Sequence, residues 1–99
     1  MKHDISKLNK AFESRIRLGI MSVLVVNDKV EFASLKEMLE LTDGNLASHI
    51  TALEKLSYVE VTKQFIGKKP NTSYRLTEKG KQAFNEHLDA LETLLKKRN

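Results

Sequence analysis

Apolar residues in the first third of the chain repeat at the three- and four-residue spacing of an α-helix, which predicts a helix over residues 5–26. They are Ile5, Leu8, Phe12, Ile16, Ile20, Val23 and Leu24. A second apolar row, Leu18, Met21 and Val25, lies on roughly the opposite side of the same helix. A helix with two apolar sides must be covered on both of them. The domain core would cover one side, and either the C-terminal helix or a second subunit would cover the other.

A short strand and two further helices are expected next. Residues 30–32 suit a strand. Ser34, with Glu37 three residues later, reads as the N-cap of a capping box, which predicts a helix from after Ser34 to about residue 40. A polar turn then leads into a third helix over residues 43–56, for which Thr42 is the expected N-cap. Two helices joined by so tight a turn form a helix-turn-helix.

The third helix has one apolar face and one small, polar face. Leu46, Ile50 and Leu53 share the apolar face. The opposite face carries Gly44, Ser48, Thr51 and Lys55, with Asn45 and Ala52 on one flank. Because these side chains are short and almost uncharged, such a helix can lie close to another surface.

The remaining residues predict a β-hairpin and a last helix. Two runs rich in strand-forming residues, 59–66 and 72–77, flank a loop at residues 67–71 that contains Gly67 and Pro70. A helix over residues 78–97 follows, with Thr77 as its N-cap and an apolar stripe of Phe84, Leu88, Leu91 and Leu95. The 99 residues therefore predict one mainly α domain with a small β-hairpin, whose core spans about residues 12–80.

Positive charge is concentrated on the hairpin and at the start of the last helix. The chain has a net charge of +4, with an excess of basic residues over 63–81 and an excess of acidic residues over 31–60. Localised basic charge suits a polyanionic partner, although a merely solvated cationic face has the same composition. A helix-turn-helix followed by a basic hairpin is the outline of a winged DNA-binding domain.

Composition limits the expected cellular compartment and the kinds of chemical site that the chain can form. The chain has no cysteine, which excludes disulfides and thiolate metal sites and fits a reducing cytoplasm. No apolar run reaches the length of a membrane span, and the N-terminus lacks the apolar core of a signal peptide, so a cytoplasmic protein without a membrane partner is expected. Paired carboxylates, a glycine-rich phosphate loop and a nucleophile motif are all missing, so neither an enzyme nor a cofactor is expected. His3, His49 and His87 are too far apart in sequence to suggest a metal site.

Six short motifs occur in order along the chain. They are Arg17-Leu18-x-Ile20, Phe32-x-x-Leu35, Gly44-Asn45-Leu46-x-x-His49-Ile50, Leu53-x-x-x-x-Tyr58-Val59, Gly67-Lys68-Lys69-Pro70-x-Thr72 and Leu76-Thr77-x-x-Gly80. Over roughly residues 12–92 their combination resembles the small bacterial winged helix-turn-helix regulators of the MarR and ArsR type. The resemblance implies a homodimeric transcriptional regulator that binds double-stranded DNA. Its third helix would lie in the major groove, and its hairpin wing on the flanking backbone or minor groove.

The resemblance and the side-chain chemistry together assign a candidate interface. On the third helix, DNA contacts are expected from Thr42, Gly44, Asn45, Ser48, His49, Thr51 and Lys55. On the wing they are expected from Lys63, Lys68, Lys69, Asn71, Thr72 and Arg75, with Lys63 and Arg75 facing each other across the hairpin. Dimer contacts are expected from Leu18, Met21, Val25, Leu88, Leu91 and Leu95.

Several of these assignments have alternatives. Asn45 and Ser48 suit base recognition but also suit an ordinary polar surface. His49 flanks the apolar face, either as a half-buried, hydrogen-bonded histidine or as a phosphate contact, and Arg17 would pair with an acidic residue of the second helix. A protein–protein interaction module is the alternative for the whole domain, although its third helix would expose apolar residues. No effector is assigned, because six aromatic residues are little material for a ligand pocket.

Overall fold

The computed structural model describes residues 3–96, which contain four α-helices, one 3-10 turn and three strands. After the 3-10 turn at Lys10–Phe12, the elements are α1 (Arg15–Val25), β1 (Val30–Glu31), α2 (Phe32–Leu39), α3 (Asp43–Lys55), β2 (Val59–Ile66), β3 (Lys69–Leu76) and α4 (Glu78–Lys96). The strands form one antiparallel sheet in the order β1-β3-β2. This arrangement confirms the predicted winged helix-turn-helix fold.

The first helix is shorter than predicted, because two capping residues interrupt the apolar repeat. Asn9 Oδ1 accepts a hydrogen bond from the N–H of Ala11 at 2.8 Å and caps the 3-10 turn. Ser14 Oγ accepts one from the N–H of Arg17 at 3.2 Å and caps α1. Side chains of this kind satisfy N–H groups that have no partner at a helix start. The predicted continuous helix over residues 5–26 is therefore wrong, although Phe12 keeps its place in the core.

The predicted capping box of the second helix is also wrong, whereas the next two predicted caps are confirmed. Helix α2 begins at Phe32 after Glu31, which makes no side-chain capping bond, so Ser34 lies inside the helix. Thr42 Oγ1 accepts from the N–H of Asn45 at 3.2 Å at the start of α3. Thr77 Oγ1 accepts from the N–H of Gly80 at 2.9 Å at the start of α4.

The core lies where α1, α2, α3 and the sheet meet. Its fully buried apolar side chains are Ile20, Met21, Leu24, Leu35, Leu46, Ile50 and Leu53. Met21 was expected in a dimer interface, and the structure contradicts this because its side chain is 0% exposed within one subunit. Helix α1 contacts α2, α3 and β3, and the core therefore covers a wide arc of its surface.

Helix α4 packs on the domain through Gly80, Phe84 and His87, which are all buried. A Cβ atom on Gly80 would lie 2.2 Å from the carbonyl oxygen of Tyr58, so only glycine allows this close approach. The radius of gyration is 15.3 Å, whereas about 13 Å is expected for a compact chain of this length. The predicted end of the helix at Lys97 lies outside the described residues.

Candidate nucleic-acid interface

The turn between α2 and α3 is stabilised by its own polar groups. Glu40 ends α2 in the left-handed conformation, with a φ of 52°, and Thr42 then caps α3. Lys36 Nζ lies 2.8 Å from Asp43 Oδ1 and thereby spans the turn. Both groups are exposed, so the pair adds little stability, but it neutralises the acidic residue at the start of α3. An anionic ligand near this helix start meets less repulsion as a result.

The structure places the predicted polar face of α3 on the surface. Thr42, Gly44, Asn45, Ser48, Thr51 and Lys55 are all exposed, whereas the Leu46 side of the helix is buried. No large apolar side chain lies among these exposed positions. The face is therefore lined by hydroxyl and amide groups that can donate and accept hydrogen bonds, which is the chemistry that reads base edges.

His49 is half-buried at the edge of this face and makes a hydrogen bond, as one of its two interpretations predicted, while its phosphate contact stays a prediction. Its Nδ1 atom lies 3.1 Å from Nη1 of Arg17 on α1. Arg17 also donates from Nε to the carbonyl oxygen of Ala11. The predicted partner of Arg17, an acidic residue of the second helix, is therefore wrong. Residues 17 and 49 are 32 positions apart, and nothing in the sequence spacing indicates that they meet.

The wing is a tighter hairpin than predicted. Strands β2 and β3 pair as far as Ile66 and Lys69, so that the turn contains only Gly67 and Lys68. Gly67 has a φ of 64°, which glycine adopts without strain. The predicted loop over residues 67–71 is corrected accordingly, since Pro70 lies within β3. Proline is tolerated there because β1 pairs with β3 only farther along, and the missing N–H breaks no bond to β1.

The register of the hairpin separates two residues that were expected to form one surface. Lys63 lies opposite Thr72, and Arg75 lies opposite Glu60. Since side chains alternate between the two faces of a strand, Lys63 and Arg75 lie on opposite faces of the hairpin. The prediction that they face each other is wrong. Arg75 lines a cavity of about 140 Å³ beside Asp28 and Lys81, away from the wing tip.

The outer part of the wing combines cationic, polar and apolar side chains. Lys63, Lys68 and Lys69 are exposed, and Asn71 and Thr72 are half-buried. Phe65 and Ile66 are 74% and 58% exposed, and neither was among the predicted contacts. The sequence does indicate that one of these two side chains is exposed. Consecutive residues of a strand point to opposite faces, and at most one face of a two-stranded ribbon is covered.

Two observations concern other kinds of site. Within residues 3–96, no group of three or more histidine or acidic side chains lies close enough together to hold a metal ion. The helices in the same part of the chain are all too short or too polar to cross a membrane.

Comparisons with known proteins agree with this geometry. The sequence profile of a family described as winged helix DNA-binding domain matches residues 16–95. An uncharacterised protein from Methanocaldococcus jannaschii is 39% identical over 79 residues, which cover 80% of this chain and 86% of that protein. A transcriptional regulator homologue protein from Pyrococcus horikoshii superposes with a TM-score of 0.77 at 32% identity, over 93% of this chain and 96% of that chain. The YusO protein of Bacillus subtilis gives a TM-score of 0.78 at 16% identity, over 89% and 62% of the two chains, and this likeness concerns the fold alone.

Proposed function

Because this chain belongs to the family of winged helix DNA-binding domains, we propose that it regulates transcription as a homodimer bound to a specific site on double-stranded DNA. Helix α3 would enter the major groove, and the wing would contact the flanking backbone or minor groove. The observation that carries the proposal is the exposed polar face of α3 beside a cationic hairpin. The similarity to the transcriptional regulator homologue of Pyrococcus horikoshii supports the regulatory role, and the family is defined by DNA binding rather than by catalysis.

The two parts of the interface would contribute differently to DNA binding. Side chains such as Asn45 and Ser48 can form hydrogen bonds with base edges and so discriminate between sequences. Lys68 and Lys69 can neutralise phosphates and release counterions, which strengthens binding to every sequence. Within residues 61–77 there is no acidic side chain to oppose them.

The homodimer is proposed from the apolar stripe on α4. Leu88, Leu91 and Leu95 are 42%, 42% and 53% exposed and follow one another at spacings of three and four residues. They share one side of a helix about 28 Å long. A second α4 related by a two-fold axis would cover the same patch on both subunits. Leu18 and Val25 on α1 are 38% and 36% exposed and would lie at the edge of this contact.

Sedimentation velocity at micromolar concentration tests the dimer. The wild type should sediment at twice the 11.3 kDa of one chain. Leu91→Glu should dissociate the dimer, because a charge would lie in its apolar contact. Met38→Glu is the matched control, since Met38 is 59% exposed on α2, outside the stripe, and this variant should remain dimeric. A wild-type monomer at these concentrations would contradict the proposal.

A band-shift assay with fragments of mixed genomic DNA tests the proposed function. The protein should retard many fragments weakly and a small subset strongly, because general and sequence-specific binding add together. A folded protein that retards no fragment would instead favour a protein-interaction module, with the exposed Phe65 and Ile66 as its contact surface.

A further inference from the structure

Arg17 on α1 lies against α3 and is held by two hydrogen bonds. Its Nε donates to the carbonyl oxygen of Ala11, and its Nη1 donates to Nδ1 of His49 at 3.1 Å. The carbonyl of Ala11 is itself fixed in position, because the N–H of Ala11 donates to Asn9 Oδ1 and the N–H of Asn9 donates to Nδ1 of His87 on α4. The guanidinium group is thus oriented from α1 and the N-terminal segment toward α3.

This contact determines which nitrogen of the His49 ring carries the proton. An arginine side chain only donates hydrogen bonds. Nδ1 of His49 must therefore accept, which requires that it carries no hydrogen. The hydrogen of the uncharged ring then lies on Nε2, since the partner of one ring nitrogen selects the tautomer of the whole ring.

The resulting Nε2–H group reaches solvent at the edge of the polar face of α3. His49 makes one hydrogen bond within residues 3–96, and that bond uses Nδ1. In this part of the chain the only buried side-chain nitrogen or oxygen without a partner is Ser73 Oγ. Nε2 is consequently not buried. On a helix, His49 lies next to Asn45, four residues earlier, so both side chains can reach the same ligand.

We propose that Arg17 is a positioning residue for DNA recognition, which fixes His49 in the Nε2–H tautomer and directs that donor at a phosphate oxygen of the DNA backbone. This inference rests on the proposed function, because the acceptor belongs to the bound DNA. His49 touches the ligand, whereas Arg17 acts through His49 and adds a positive charge behind the contact. The alternative is that the two residues only fasten α1 to α3.

The tautomer is measured without DNA. In a proton–nitrogen correlation spectrum of the imidazole rings, above the pH range in which histidine titrates, the wild type should show a protonated Nε2 and a bare Nδ1 for His49. In Arg17→Met the two tautomers should both be populated. An unchanged His49 pattern in Arg17→Met would overturn the positioning role.

Two substitutions of His49 separate recognition from simple fastening. His49→Gln keeps a donor near the position of Nε2 and loses the acceptor for Arg17. His49→Asn keeps an acceptor near Nδ1 and loses the outward donor. The proposal expects His49→Asn to weaken DNA binding about tenfold, the size of one hydrogen bond to a charged group, and His49→Gln to weaken it less. A fastening role expects the reverse order, which would overturn the proposal.

The two residues should also act as a unit. Arg17→Met should weaken binding about tenfold, and adding His49→Asn should weaken it little further, because residues in one network are not additive. Arg15→Met removes the same charge from the exposed start of α1 and is the matched control. Full additivity of the two substitutions would overturn the proposal. If the wild type bound no duplex at all, the proposed function would fail and the DNA contact with it, while the spectrum would still decide whether Arg17 sets the tautomer.

Discussion

Helix α3 and the wing are neighbouring parts of the candidate interface with opposite physical character. Helix α3 is embedded, with Leu46, Ile50 and Leu53 at most 1% exposed, and its outer face is polar but nearly uncharged. The wing is an exposed two-stranded ribbon that carries lysines and has no acidic residue over 61–77. A rigid polar face suits the fixed geometry of base contacts, whereas long, flexible lysine side chains need only reach a phosphate. Under the proposed function, sequence discrimination would therefore come from α3 and general affinity from the wing.

The segment around α3 makes this separation sharper. Residues 31–60 are net acidic, and Lys36 is used to neutralise Asp43 rather than left free. This segment alone would attract DNA poorly. Under the proposed function, affinity would therefore depend mainly on the wing, while α3 would contribute the preference for one sequence over another.

The largest effect is expected when the wing lysines are removed. Lys68→Ala/Lys69→Ala should weaken binding to all duplexes roughly 50-fold at about 0.1 M salt, and should flatten the slope of log affinity against log salt by roughly 2. Lys7→Ala/Lys29→Ala removes the same charge from exposed positions outside the interface and should leave the slope almost unchanged. An unaltered slope in the wing variant would mean that the wing does not touch DNA.

A smaller and different effect is expected on α3. The operator is here the DNA site that the wild type binds most strongly. Ser48→Ala or Asn45→Ala should reduce the ratio of the affinity for the operator to the affinity for random DNA about tenfold, because one base contact contributes about 1–3 kcal/mol of discrimination. The salt slope should stay the same, and so should the affinity for random DNA. Thr93→Ala removes a comparable hydroxyl from exposed α4 and should preserve the ratio. A full operator preference in the Ser48 variant would show that another face of the domain reads the bases.

The exposed aromatic ring on the wing should contribute a salt-independent part of the affinity. Phe65→Ala should weaken binding about fivefold without changing the salt slope, because covering about 40 Å² of apolar surface is worth about 1 kcal/mol. The melting temperature of the Phe65→Ala variant should hardly change, since the ring of Phe65 is 74% exposed. Val26→Ala, at a position 77% exposed after α1, is the control that should bind like the wild type. Anisotropy titrations at several salt concentrations distinguish this effect from loss of charge.

The smallest effect is expected from the ion pair across the turn. Lys36→Met leaves the carboxylate of Asp43 unpaired near the start of α3 and should lower DNA affinity about twofold, while stability changes by less than about 1 kcal/mol. Asp43→Asn should have the opposite effect on affinity. If both variants bound DNA like the wild type, the acidic character of this segment would have no influence on the interface.

Some of these features follow from local sequence and others do not. The caps Thr42 and Thr77 and the polar face of α3 were predictable, because helical periodicity and capping depend on residues three or four positions apart. The start of α1 was not, since the apolar repeat continues through the caps Asn9 and Ser14. Met21 is buried because several elements surround α1. The apolar pattern of one helix does not show how many neighbours that helix has.

Register and long-range pairs are the other features that local patterns leave open. A loop shorter than expected places Lys63 and Arg75 on opposite faces, because each one-residue shift of a strand exchanges its faces. The contact of Arg17 with His49 joins elements that are distant in sequence, and only the packing of α1 on α3 brings them together. The bacterial source suggested by the sequence resemblance stays a prediction, as do the DNA contacts of the individual side chains.

The salt dependence of operator preference tests the separation between α3 and the wing most directly. The affinities of the wild type for its operator and for a random duplex of equal length would be measured from about 50 to 200 mM salt. Both affinities should fall steeply and in parallel, so that their ratio stays constant, because phosphate contacts are common to both duplexes and base contacts release few ions. A ratio that falls as steeply as the affinities would show that discrimination depends on the same charges as general binding, which would contradict the separation.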